Sequence, residues 1–129
     1  MRRLLIHMIV LLVVAVGPAA AQPQPQFFET LYDVPIMKGM EELPEMALNF
    51  DKVGGRIAEA GAIAPDLSDR EIMSFYKTAL EQMGWQQIPL NFAPYKFMRE
   101  GEELSIFLEK SDTSILVRFL LQPQEASTP

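Results

Sequence analysis

The longest regular pattern of apolar positions lies in SDREIMSFYKTALEQMGW, residues 68–85. Ser68 followed three residues later by Glu71 predicts a capping box at the start of a helix. Gly84 and Trp85 predict a Schellman end, in which Gly84 is left-handed and Trp85 packs back on the helix. The apolar residues between these ends recur at helical spacing and predict one buried face: Ile72, Phe75, Tyr76, Ala79, Leu80 and Met83. The stretch is therefore predicted to be an amphipathic helix that covers a sheet.

Period-two patterns on both sides of this helix predict strands. Met46, Leu48 and Phe50 alternate with smaller or polar residues, as in a half-buried strand, and the turn residues DKVGG join them to a second strand over 56–62. Three further strands are predicted over 95–99, 103–109 and 114–121, joined by short polar turns. The order ββαβββ predicts an α+β fold, an antiparallel sheet of four to five strands with one amphipathic helix packed on one face.

The last predicted strand, SILVRFLL over residues 114–121, is apolar on both of its faces. One helix covers only one face of a sheet, so the second face needs a different cover. The candidate protein-interaction face consists of Met98, Phe107, Leu116, Arg118 and Leu120. Two alternatives remain open for what lies on it: the apolar segment 27–37 of the same chain, or a partner protein or second copy.

The first residues have the order of a secretory signal peptide. Arg2 and Arg3 precede an apolar run over residues 4–16, and small residues precede a cleavage site after Ala21. The run is shorter than the roughly 20 residues of a membrane span, so stable membrane insertion after cleavage is not expected, and retention as an anchor is the alternative. These patterns predict a periplasmic or secreted bacterial protein.

Four regions follow from this organisation of the chain. Residues 1–21 are the signal peptide, and residues 22–33 are a linker and lead-in rich in Pro and Gln. Residues 34–121 form a single α+β domain, and residues 122–129 are predicted to be a disordered tail.

Composition limits the chemistry of the predicted mature chain. The 129 residues carry a formal charge of −6, and loss of Arg2 and Arg3 leaves −8, so binding to nucleic acid is not expected. There is no cysteine, which excludes disulfides, thiol nucleophiles and thiolate metal sites. The single histidine, His7, lies in the signal peptide, so the usual general acid–base group is missing as well. The sequence therefore predicts no enzyme, no cofactor and no metal site.

Carboxylates are the remaining candidate catalysts. The three acids of DLSDRE, residues 66–71, could hold calcium, but the spacing departs from that of an EF-hand loop and helix capping explains them. The acids of REGEE, residues 99–103, could pair for hydrolysis, but acids beside a hairpin turn are normally solvated. Trp85 and Tyr76 are assigned to the core rather than to a sugar-stacking site. A carboxylate-based hydrolase or calcium-dependent activity is thus the alternative function.

A resemblance extends over nearly the whole predicted mature chain. The string VPxMxGM…FDxxxGRI…FYxxxLxxxGW…REGExLxI…VRFxLxP resembles a family of small exported alphaproteobacterial proteins without an assigned function. Its motifs consist of turn and core residues, so the resemblance implies a fold and a location but no activity. We therefore expect a non-enzymatic exported envelope protein, a small binding or assembly module that acts through a sheet face or edge.

Overall fold

A computed structural model describes residues 14–90 and 92–125. Residues 1–13 of the predicted signal peptide and residues 126–129 of the predicted tail lie outside the described residues. Residues 14–25 form no regular secondary structure and are exposed. The elements that follow are β1 Gln26–Phe27, β2 Pro35–Ile36, β3 Glu41–Glu42, a 3₁₀ turn Pro44–Met46, β4 Leu48–Lys52, β5 Gly55–Ala64, α1 Asp69–Gln82, β6 Gln86–Gln87, β7 Tyr95–Arg99, β8 Glu102–Lys110 and β9 Ile115–Pro123.

The predicted α+β class is confirmed. Seven strands form one antiparallel sheet in the order β3-β5-β9-β8-β7-β6, and β4 pairs with β5 on the same edge as β3, while β1 and β2 form a small separate sheet. The predicted ββαβββ order corresponds to β4, β5, α1, β7, β8 and β9. The predicted count of four to five strands is too low, because β3 and β6 have two residues each and are too short to show a period.

Both ends of the helix are as predicted. The Ser68 hydroxyl accepts a hydrogen bond from the Glu71 amide at 3.2 Å, and the Glu71 carboxylate accepts one from the Ser68 amide at 2.8 Å. At the other end Gly84 has a φ of +90°, and the Trp85 amide donates to the Leu80 carbonyl at 3.0 Å. These contacts all join residues that are close in sequence, so the local sequence determines where the helix begins and ends.

The core lies between α1 and one face of the sheet. Alternate residues of the neighbouring strands β5 and β9 are buried there. The register pairs small residues of β5 with large residues of β9: Ala58 with Leu121, Ala60 with Phe119, Ala62 with Val117 and Ala64 with Ile115. Tyr76 of α1 contacts this face through the Phe119 ring, with centroids 5.0 Å apart. The alanines of β5 leave volume on this face that another apolar segment fills.

That segment consists of the lead-in and the residues directly after it, and it packs on the same face as the helix. Phe28, Leu31 and Val34 are almost fully buried, and the Phe28 ring lies 4.8 Å from the Phe119 ring. The Tyr76 hydroxyl donates to the Pro35 carbonyl at 2.8 Å. The alternative in which segment 27–37 crosses the opposite face of the sheet is therefore wrong, since its buried side chains are used on the helix face.

The ordered core is also wider than the predicted domain bounds of 34–121. Phe28 and Leu31 precede residue 34 and belong to the core. At the other end β9 continues to Pro123, and the Gln124 amide donates to the Gly101 carbonyl at 2.7 Å. The first residues of the predicted tail are thus held by backbone hydrogen bonds of the sheet.

Candidate functional site

The second face of the sheet, opposite α1, contains all five predicted interaction residues. Leu116, Arg118 and Leu120 alternate with the buried residues of β9, Phe107 of β8 is in register with Arg118, and Met98 lies on β7. We call this surface the open face and define it by the following positions: Leu48 and Phe50 of β4; Ile57, Glu59, Gly61 and Ile63 of β5; Lys96 and Met98 of β7; Glu103, Ser105, Phe107 and Glu109 of β8; and Leu116, Arg118, Leu120 and Gln122 of β9.

An apolar patch surrounds Arg118 on the open face. Phe107, Leu116 and Leu120 are half-buried, and Ile63 of β5 is in register with Leu116. Met46 of the 3₁₀ turn lies directly over Gly61, where an added Cβ would come within 2.5 Å of the Met46 sulfur. A glycine at position 61 therefore lets the Met46 side chain lie flat on the sheet beside the patch.

Met98 is on the open face but is separated from this patch. It is in register with Glu103, which forms an ion pair with Lys96 at 2.8 Å. The Gln122 side-chain nitrogen Nε2 also donates a hydrogen bond to the Glu103 carboxylate at 3.4 Å. This polar strip divides the predicted set, so four of its members are grouped and Met98 stands apart.

Arg118 places a guanidinium group at the centre of the patch. Its guanidinium lies 3.1 Å from the Glu109 carboxylate and 5.4 Å from the centre of the Phe107 ring. Both charged groups are exposed, and exposed ion pairs contribute only about 0–1 kcal/mol. The guanidinium can therefore exchange Glu109 for an acceptor on another molecule at little cost.

Sequence reasoning missed the part of the open face that β4 and β5 supply. The alternation of Met46, Leu48 and Phe50 predicts a half-buried strand, but Leu48 is 49% exposed and Phe50 is 56% exposed. In the register of the hairpin Leu48 is opposite Glu59 and Phe50 is opposite Ile57, on the side away from α1. The alternation of apolar residues in β4 was visible in the sequence. The side of the sheet on which these apolar side chains lie depends on the position of the helix.

Three acids of the two acidic stretches bind basic side chains. Asp69 binds Lys110 at 2.9 Å, and this hydrogen bond lowers the pKa of the Asp69 carboxyl. Glu102 binds Arg56 at 3.3 Å, and Glu103 binds Lys96. No group of three His, Cys, Asp or Glu side chains suited to a metal ion occurs in residues 14–90 and 92–125.

The two aromatic residues weighed as a sugar-stacking site belong to the core, as predicted. Tyr76 and Trp85 are almost completely buried, and burial raises the pKa of the Tyr76 hydroxyl. The Arg99 guanidinium covers the Trp85 ring at 4.3 Å. In this packing neither ring offers a face to a ligand.

A groove between Met37 and one flank of α1 has a volume of about 610 Å³ and is open to solvent. Met37, Phe75 and Ala79 supply apolar side chains to its lining, and the other lining residues are polar residues of the helix. It contains none of the predicted interaction residues, so it is separate from the open face.

Glu71 makes the helix start sensitive to pH. Hydrogen bonds from the Ser68 amide and hydroxyl hold the pKa of the Glu71 carboxyl below its ordinary value of 4.5. A depressed pKa in the folded state stabilises the protein above the unfolded pKa, and this stabilisation is lost as the pH falls through the folded value. We expect Glu71→Gln to lower the melting temperature at pH 7 and the difference from the unaltered chain to shrink as the pH is lowered to about 3.

Glu81→Gln is the matched control, because Glu81 is exposed in the last turn of the same helix, where a negative charge is unfavourable. Its melting temperature should be equal or slightly higher at pH 7. Equal effects of the two substitutions in thermal melts followed by circular dichroism would contradict the capping role of Glu71.

No protein-family model, curated protein or solved structure matches this chain. Among the described residues no helix is long and apolar enough to span a membrane.

Proposed function

We propose that this protein is a non-enzymatic exported envelope protein, a small binding or assembly module that binds a partner protein through the open face. The observation that carries the proposal is that α1 and the lead-in both pack on one side of the sheet. The patch of Phe107, Leu116 and Leu120 therefore stays partly in contact with solvent on the other side. Contiguous apolar patches on soluble proteins commonly mark interaction sites.

The chemistry of the patch defines the partner surface that would fit it. Leucine and phenylalanine side chains require an apolar surface, and Arg118 at their centre requires a hydrogen-bond acceptor, best a carboxylate. Arginine and aromatic residues surrounded by apolar contacts are typical of the residues that dominate binding energy. The partner is thus a protein with an apolar surface that carries an acidic residue near its centre.

The export of the protein is part of the same proposal. It is supported by the basic, apolar and small residues that precede position 22, and by the resemblance to small exported proteins. The absence of cysteine and of a mature histidine supports binding rather than catalysis.

Leu116→Glu together with Leu120→Glu tests the open face. Both residues are half-buried on the sheet surface, so we expect the fold to persist and the binding of the partner to fall at least tenfold, the effect of about 1.4 kcal/mol. The measurement is crosslinking and capture from the native envelope, followed by titration of the captured protein with both forms of the chain.

Phe92→Glu serves as the control, because Phe92 is an exposed aromatic residue outside the sheet. Equal capture by the control and the double variant would overturn the proposal. Unfolding of the double variant would overturn it too, since the two leucines would then act as core residues rather than as a binding surface.

A further inference from the structure

The β4 edge of the sheet differs from the other edge positions. Natural sheets protect their edges with short strands, charges and proline. At one edge β6 has only two residues and is followed by Pro89, and at the other edge β3 consists of two glutamates and is followed by Pro44. β4 has five residues, and every one of them is exposed. Its charges, Asp51 and Lys52, are confined to the end beside the turn.

The register of the hairpin determines which backbone groups of β4 face outward. Lys52 and Gly55 are paired across the two-residue turn, so they form a hydrogen-bonded pair. In an antiparallel ladder hydrogen-bonded and non-hydrogen-bonded pairs alternate, so Leu48, Phe50 and Lys52 bond to β5. The amides and carbonyls of Asn49 and Asp51 therefore point away from β5 and are oriented to bond a further strand.

The sequence of β4 is complementary to itself in one antiparallel register. If Phe50 lies on a two-fold axis, Phe50 is opposite Phe50 of a second copy, Asn49 is opposite Asp51, and Leu48 is opposite Lys52. The outward backbone groups of Asn49 and Asp51 then meet each other, and the Asn49 amide can donate to the Asp51 carboxylate. A shift of two residues in one direction places Asp51 opposite Asp51, which is repulsive, and a shift in the other direction leaves Lys52 without a partner within the strand.

We propose that β4 pairs with β4 of a second copy of this chain, antiparallel and centred on Phe50, so that one sheet continues through two protomers. The pairing covers Leu48 and Phe50, two of the most exposed apolar residues of the sheet. Because both lie on the open face, the pairing joins the open faces of the two protomers into one surface. It uses an edge and not the patch around Arg118, so it stands independently of the partner protein proposed above.

The size of the contact sets the expected strength. A stable interface buries roughly 1,200–2,000 Å² in total, and a pair of five-residue strands is small by that measure. The dimer is therefore reversible and depends on concentration. Disulfide crosslinking therefore detects such a dimer better than a measurement of molecular size alone.

The absence of cysteine makes this test clean, because Phe50→Cys introduces a single thiol at the axis. Residues opposite each other in a non-hydrogen-bonded pair have Cα atoms about 4.5 Å apart, which is within the range that a disulfide spans. We expect mild oxidation at micromolar concentration to convert the variant to a disulfide-linked dimer. Phe50 is exposed, so the thermal melt of the reduced variant should match that of the unaltered chain.

Val53→Cys is the matched control. Val53 at the tip of the hairpin is more exposed than Phe50, but it lies three positions from the axis, so its two copies are about 20 Å apart in the proposed dimer. We expect it to crosslink at least ten times more slowly than Phe50→Cys. Equal rates would indicate random collision and would overturn the proposal.

A third variant separates the edge from the open face. Leu116→Glu and Leu120→Glu added to Phe50→Cys should leave the crosslinking rate unchanged, whatever their effect on capture of the partner protein. A reduced rate with an unchanged melt would mean that the two copies meet through the patch, which also overturns pairing at β4.

Discussion

Phe28→Ala is expected to lower the free energy of unfolding by about 3–5 kcal/mol, the usual cost of removing a large aromatic side chain from a core. Phe28 is 1% exposed and contacts the Phe119 ring, which in turn contacts Tyr76 of the helix. Its removal leaves a cavity where the lead-in, the helix and β9 meet. The loss is large against a total stability of about 5–15 kcal/mol for a small domain.

The neighbouring residue supplies the control for this experiment. Phe27 is 41% exposed, so Phe27→Ala should change the free energy of unfolding by less than about 1 kcal/mol. Urea titrations followed by tryptophan fluorescence measure both values, since Trp85 is the single tryptophan and is buried. Similar small values for the two variants would show that the lead-in does not belong to the core.

Asp33→Ala is expected to have the second largest effect, about 2–3 kcal/mol. Asp33 binds Arg99 in a close ion pair, and its other oxygen lies 3.9 Å from the Arg56 guanidinium. Loss of one member of a fully buried ion pair costs about 3–5 kcal/mol, and the partial exposure of these three side chains reduces that figure. The Asp33 carboxylate connects the lead-in to Arg56 of β5 and to Arg99 of β7. Its loss leaves these two guanidinium groups close together.

Arg56 stays charged in this cluster, so the repulsion cannot be relieved by loss of a proton. Burial lowers the pKa of the Arg56 guanidinium, but the hydrogen bond and charge of Glu102, with smaller contributions from Tyr32 and Asp33, raise it above its ordinary value. Without Asp33, Arg56 retains only Glu102 as its acidic neighbour in the cluster, and Arg99 retains the Met83 carbonyl, to which it donates at 3.1 Å.

The test compares three variants in urea titrations. Asp33→Asn keeps the shape of the side chain and removes its charge, so it should be destabilised less than Asp33→Ala. Asp66→Ala, at an exposed aspartate before the helix, should stay within about 0.5 kcal/mol of the unaltered chain. Combination of Asp33→Ala with Arg99→Met should cost less than the sum of the single changes, and strict additivity would contradict the ion pair.

The parts of the fold that depend on near neighbours could be predicted from the sequence. The capping box of Ser68 and Glu71 and the Schellman end at Gly84 and Trp85 involve residues within five positions of each other. The β4–β5 hairpin and the β7–β8–β9 meander have short turns, so their pairing follows from the turn positions. Local hydrogen bonds and loop lengths carry this information without reference to the rest of the chain.

The candidate site could be predicted only in part. The two-faced pattern of β9 shows that Leu116, Arg118 and Leu120 share the face opposite the helix, because the sheet places alternate residues on opposite sides. The pattern does not show that Glu103 separates Met98 from the others, since that depends on the pairing of β7 with β8 and on the ion pair with Lys96.

The sequence by itself determined the α+β class, both ends of the helix and the existence of a second apolar face. Each of these follows either from the periodicity of apolar residues over a short stretch or from a helix-capping motif. Only the tertiary structure decided which side of the sheet the lead-in packs on and which side Leu48 and Phe50 occupy. The reason is physical: the alanines of β5 leave room on the helix side, Phe28 and Leu31 fill it, and the apolar side chains of β4 are left on the open face. An alternating pattern defines the two faces of a strand. Which of the two faces becomes buried depends on segments that are distant in the chain and pack on it.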